Sequence, residues 1–191
     1  MTGAVPGPHH PAGSAKALLV DDRRENLTAL EALLQGLPVT TVSVTSGEAA
    51  LKQLLLADFA VILLDVEMPD MDGFETAEHI KSRERTRHIP IIFLTAADRD
   101  AQLALRGYAA GAVDYLTKPF DPWVLRAKVS VFVELWEKNR ELAARAAAEQ
   151  ERAAREQRVA ALIEQALTAL RGSDGIRDVG RAIELLEQAS R

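Results

Sequence analysis

Four short apolar runs in this chain stop at residues suited to phosphate or divalent-cation chemistry. Ala17 to Val20 leads to Asp21 and Asp22, Ala60 to Leu64 to Asp65, Ile89 to Leu94 to Thr95, and Ala112 to Leu116 to Lys118. The stretches between the runs are long enough for one crossover helix apiece, which is the alternation of a parallel sheet covered by helices on both faces. Such sheets bind ligands at the carboxyl ends of their strands, so one site built from several strand ends is expected.

Local signals agree with that plan. Leu27, Leu30 and Leu34 recur at helical spacing after the first run. Val39 to Val44 reads as a second strand and leads through Thr45 or Ser46 into a helix, with Glu48 placed to complete a capping box with Thr45. Ala49, Leu51, Leu54 and Leu55 are the expected buried side of that helix, Phe74, Ala77 and Ile80 of the next, and Leu103 with Leu105 of the one after. Asp121 before Pro122 is a strong helix start, a capping carboxylate followed by a residue whose missing N–H costs nothing there. The fold class predicted is α/β, a doubly wound five-stranded parallel sheet over residues 15 to 133.

The strand ends suggest a chemistry. Asp21, Asp22 and Asp65 would stand close together, and their mutual repulsion is tolerable when a cation sits among them. Mg²⁺ suits such a set because it takes oxygen ligands and commonly shares its shell with a phosphoryl group. Asp65 ends the most apolar strand and is the best nucleophile, since a carboxylate can become an aspartyl phosphate. Lys118 would neutralise phosphate oxygens as a compact charge, and the Thr95 hydroxyl would donate to one of them. Met68 to Gly73 reads as a tight loop beside the site, with Pro69 and Gly73 supplying turn geometry. Taken singly, each position also has an inert reading: Asp21 and Asp22 as helix caps, Lys118 before Pro119 as a turn residue, Tyr115 as plain packing.

The acidic pair in "LLVDD", the carboxylate in "LLDVEMPDMDG", the hydroxyl in "FLTA" and the lysine in "DYLTKPF" occur in an order and spacing that resembles the receiver domain of two-component response regulators. The resemblance implies a flavodoxin-like receiver fold in which Asp65 accepts a phosphoryl group from a sensor histidine kinase or phosphotransfer protein. It implies Mg²⁺ held by Asp22, Asp65 and the main-chain carbonyl of Glu67, with Asp21 assisting. It also implies a switch in which Thr95 moves toward the phosphate and Tyr115 turns inward, and it makes Glu67 and Ala97 positions that tune phosphate lifetime. Such a domain is a phosphoacceptor, not an enzyme beyond its own phosphotransfer and dephosphorylation.

Other classes are disfavoured. No apolar stretch approaches the roughly 20 residues of a bilayer crossing, so no membrane association is expected. Residues 1 to 14 are rich in proline and glycine, lack the anatomy of a signal peptide, and read as a disordered tail. Cysteine is absent, which excludes thiolate metal sites and disulfides and fits a reducing cytoplasm. His9, His10, His79 and His88 lack ligand spacing, and Arg83, Arg85 and Arg87 alternate with other residues as in a solvated loop.

No Pro or Gly occurs between Trp123 and Arg171, so a very long helix is predicted, with residues 134 to 171 as a coiled coil. Phe132, Leu135, Asn139, Leu142, Ala146, Ala153, Ala160, Ile163, Leu167 and Leu170 fall on one a/d seam, and Asn139 at an a position favours a parallel homodimer. Glu149 and Glu156 land on d positions, which leaves the middle of the seam thin. Residues 172 to 191 form a short helical segment in which Ile176, Val179, Ile183 and Leu186 recur. Over residues 134 to 191 ten Lys and Arg face eleven Asp and Glu, which argues against a phosphate-backbone binder. Output to a downstream protein partner, without DNA binding, is the favoured expectation. An RNA-binding antiterminator regulator shares the layout but only faintly the terminal sequence, and the chain could also be the front part of a larger receiver-plus-effector protein. Asp114 and Lys128 offer a salt bridge for a dimer surface on the receiver itself, but the coil is the favoured contact.

Overall fold

The computed structural model describes residues 14–96, 114–171 and 183–184, and the side chains of all of these except 169–171. The expected tail, Leu103, Leu105, Ala97, Ala112 and most of the terminal segment lie outside the described residues. Five strands, β1 (Ala15–Val20), β2 (Val39–Val44), β3 (Val61–Asp65), β4 (Ile91–Ala96) and β5 (Asp114–Lys118), form one parallel sheet in the order β2-β1-β3-β4-β5. Helices α1 (Arg24–Leu34), α2 (Gly47–Leu56), α3 (Gly73–Ser82) and α4 (Pro122–Arg171) complete the described elements. The doubly wound five-stranded sheet and the long C-terminal helix are therefore present. The chain divides into two compact units, Met1–Lys138 and Asn139–Arg191.

Strand alternation sorts the core into two layers. Ala17, Leu19, Val61, Leu63, Ile92, Leu94 and Leu116 pack with Leu27, Leu30 and Leu34 of α1 and with Leu125, Val129 and Val133 of α4. Their neighbours Leu18, Val20, Ile62, Leu64, Ile91 and Phe93 pack on the other face with Ala50 and Leu54 of α2 and Phe74, Ala77 and Ile80 of α3. Because β1, β3 and β4 are covered on both faces, Ala17–Val20, Val61–Leu64 and Ile91–Leu94 are apolar without a break, as a central parallel strand is. Arg126 ties α4 to α1 by donating to the carbonyls of Leu33 and Gln35 at the end of that helix. Gly36, at φ 84°, takes the left-handed turn that ends α1, a conformation that glycine adopts without strain.

Several local expectations need correction. The cap of α2 is Ser46, whose hydroxyl accepts from the Ala49 N–H, so Thr45 and Glu48 form no capping box. The helix therefore starts one residue later than the Thr45 reading. Its buried face is Gly47, Ala50 and Leu54, and Leu55 is 59% exposed. The capping box belongs to α3, where Asp72 accepts from Glu75 N–H and Glu75 accepts from Asp72 N–H. Arg83, Arg85 and Arg87 are exposed in a turn segment, as expected of a solvated loop, and the turn closes over a buried Thr86, whose hydroxyl donates to Ile80 O at 2.7 Å. Lys128 pairs with Asp114 inside the chain, joining α4 to β5, so this pair already has an internal role.

Candidate functional site

Register places the site. Val20 lies level with Leu64 across the β1–β3 pair, so Asp21 and Asp65 each come one residue past the same row. Leu94 lies level with Leu116, and Lys118 follows two residues later. A period of two then puts Asp21 with Leu19, Asp65 with Leu63 and Lys118 with Leu116, all on the sheet face packed by α1 and α4. The chain leaves β1 toward β2 and later returns to β3 on the opposite side of β1, so these side chains stand where the strand order reverses.

Oxygens of Asp21, Asp22 and Asp65 all lie within 4.8 Å of one another. The Lys118 ammonium bridges two of the carboxylates, at 2.9 Å from Asp21 Oδ2 and 3.0 Å from Asp65 Oδ1. Asp21 is buried and also accepts from the Arg23 N–H at 3.0 Å and from the Asn26 amide at 2.9 and 3.0 Å. Asp22 is exposed at the rim, and Asp65 is buried. Burial pushes the Asp65 carboxyl above the usual carboxylate range and the Asp21 charge adds to this, against the opposing pull of Lys118 and of the Glu67 main-chain N–H. Burial alone would lower the Lys118 pKa, but its bonds to Asp21 and Asp65 and their charges outweigh it and hold the ammonium above its ordinary value.

The capping reading of the acidic pair does not describe what these residues do. The α1 N-cap is Arg23, without a side-chain cap, and Asp21 serves the strand-end cluster instead. Asn26 was not singled out from the sequence. Its only signal there is its place one turn into the helix that follows Asp21. Thr95 is half-buried near the end of β4, level with Thr117. Tyr115 on β5 is 43% exposed, and its N–H bonds Asp114. Glu67 begins the loop to α3, in which Asp70 takes φ 64° and the Gly73 N–H returns to Val66 O at 3.0 Å. The loop packs so closely on β3 that a Cβ on Gly73 would fall 2.3 Å from Asp65 O. The Lys118–Pro119 peptide is cis.

Three carboxylates against one ammonium leave the cluster two negative charges in excess, with oxygen donors only and one carboxylate at the rim. That donor set fits a hard divalent cation such as Mg²⁺. Among the described residues no helix is long and apolar enough to cross a membrane.

A parallel sheet of this order, with an acidic cluster and a lysine at its switch point, defines a receiver-type α/β domain. Residues 17–130 match the family described as the response regulator receiver domain, and the chain belongs to that family. It is 40% identical over 116 residues to the response regulator PleD of Caulobacter vibrioides, a match covering 61% of this chain and 25% of PleD. It is 36% identical over 121 residues to a probable cyclic di-GMP phosphodiesterase of Vibrio cholerae, covering 61% of this chain and 26% of that protein. The chain thus spans about a quarter of the length of these relatives. Among solved structures, chemotaxis protein CheY4 of Vibrio cholerae superposes with a TM-score of 0.59 at 31% identity, over 63% of this chain and 99% of that one. The receiver domain of the Pseudomonas aeruginosa sensor histidine kinase PA1611, with a magnesium ion coordinated in its active-site cleft, gives 0.58 at 30% identity, over 64% of this chain and 99% of that one.

Proposed function

We propose that this chain is a phosphoacceptor response regulator of a two-component phosphorelay, with Asp65 as the acceptor. The observation that carries this is the Lys118 ammonium shared between buried Asp21 and Asp65 beside a third carboxylate, Asp22. An Asp65 oxygen attacks the phosphorus of a phosphohistidine on a sensor kinase or phosphotransfer protein. The P–N bond breaks, and its electron pair returns to the partner's imidazole. Lys118, already within hydrogen-bond reach of Asp65, meets the charge on the phosphoryl oxygens, which is most of what this transfer requires. Asp22, Asp65 and the Glu67 main-chain carbonyl would hold Mg²⁺, with Asp21 assisting, and the bound ion supplies further charge neutralisation. Asn26 and the Arg23 N–H keep Asp21 in place. Thr95 donates to the phosphate once formed, and Tyr115 changes exposure with it, biasing the surface around β5.

The receiver spans residues 15 to 133, and the helix over 134 to 171 with the segment over 172 to 191 carries the output as a cytoplasmic homodimer acting on a protein partner. The balanced charge of that portion supports protein over nucleic-acid recognition. A second reading is favoured by the relatives, of which the chain matches a quarter: receiver and helix would precede an effector domain. The test is incubation with acetyl phosphate and Mg²⁺, followed by intact mass. One phosphate is expected on the natural chain and none on Asp65→Asn; a gain on both, or on neither, refutes the assignment.

A further inference from the structure

In the second unit the helix leaves aliphatic side chains uncovered: Leu142 is 60% exposed, Ile163 40% and Leu167 47%. They lie on one a/d seam, whose consecutive a positions Ala146, Ala153 and Ala160 are small and whose d positions Glu149 and Glu156 are charged. Pairing two copies in parallel and in register would set Glu149 on Glu149 and Glu156 on Glu156, two successive layers of like charge. Against that, it would set Leu142, Ile163 and Leu167 each on its own copy and form an Asn139 amide pair. Antiparallel pairing instead sets a positions against d positions. Centred near residue 151, it places Glu149 against the partner's Ala153, Glu156 against the partner's Ala146 and Leu142 against the partner's Ala160. Each of these layers then joins a large side chain to a small one, and the g-position Arg145 and Arg152 of one copy flank the glutamates of the other. Arg145 pairs with Glu141 across an exposed turn of its own helix, an exchange that costs little. Asn139 would face the partner's Ile163, forfeiting one amide pair where the parallel form keeps two carboxylate pairs together.

We infer that this segment docks on a second copy of the chain in antiparallel orientation, centred near residue 151. The inference rests on the homodimer reading above and specifies its geometry. Because the chain has no cysteine, single cysteines report the contact directly. Full-length Leu142→Cys and Ala160→Cys, both at exposed positions, are oxidised alone and as a mixture. The mixture is expected to yield a heterodisulfide and each variant alone none. In the antiparallel pairing the two copies of residue 142 lie about 27 Å apart at roughly 1.5 Å per residue, far beyond the ~7 Å between Cα atoms that a disulfide tolerates. A Leu142→Cys homodisulfide, or a dimer by light scattering with no cross-link in the mixture, overturns the orientation while leaving the dimer. A full-length monomer overturns both, and intact mass after acetyl phosphate reads the Asp65 assignment separately.

Discussion

Gly73→Ala tests the closest approach in the site. A Cβ built there falls 2.3 Å from Asp65 O, 2.8 Å from Val66 Cα and 3.0 Å from Asp65 C. All three are backbone atoms, so no side chain can swing aside. Ordinary contact begins near 3.4 Å, so α3 and the end of β3 must separate by about 1 Å, at a cost of about 1–3 kcal/mol for forced overpacking. Alanine recovers less than about 1 kcal/mol of that through its lower unfolded-state entropy. The atoms that move carry the Asp65 side chain, and a misplacement of about 1 Å costs on the order of 100-fold in rate. Urea titration should show a lower midpoint at unchanged slope, and intact mass with acetyl phosphate and Mg²⁺ should show slower phosphorylation. Gly36→Ala is the control: its φ of 84° strains alanine, but nothing lies within 4 Å, so it should lose about 1 kcal/mol and keep its phosphorylation rate. A Gly73→Ala chain within about 0.5 kcal/mol and twofold in rate of the natural protein would refute the reasoning.

Three further outcomes follow from the charge cluster. Burial raises the Asp65 pKa, so between 3.8 and its folded value the native state binds the extra proton, and the stability this confers is lost as pH rises through that folded value. At pH 7 without divalent cations, Asp65→Asn should therefore be more stable in urea, and a less stable variant would contradict the sign. Lys118 shifts upward, so its contribution is complete below 10.5 and lost as pH rises through its higher folded value. Lys118→Met should cost about 3–5 kcal/mol in EDTA by leaving buried carboxylates without their cation, recover more than the natural chain when Mg²⁺ is added, and lack that alkaline loss in thermal scans. Asn26→Ala removes the amide that holds both oxygens of Asp21 and should cost about 1–2 kcal/mol; an unchanged urea midpoint would show that the bonds contribute nothing.

The order and type of the elements were legible because two periodicities carry them. β2 matched its run end to end, and Leu27, Leu30 and Leu34 faced the core as their spacing required. Apolar residues at every step of β3 could only mean burial on both faces, and the carboxylate at its end could only stand at the sheet edge. Phase was less secure. Thr45 and Ser46 are equivalent caps in composition, and one residue of difference turns α2 by about 100°, which exposes Leu55. Nothing local distinguished Thr86 from its charged neighbours, since its burial comes from a bond to Ile80 in the preceding helix.

What the chain determined alone was the alternation of strands and helices and the residue types at the strand ends, because propensity and period act within a few residues. What only tertiary structure decided was which of those residues meet. Lys118 reaches Asp21 and Asp65 through register and pleat, Asn26 reaches Asp21 through the angle at which α1 leaves β1, and Lys128 reaches Asp114 through the packing of α4 on the sheet. Those contacts depend on where whole elements come to rest, and spacing along the chain does not encode the distance between elements that a shared core sets.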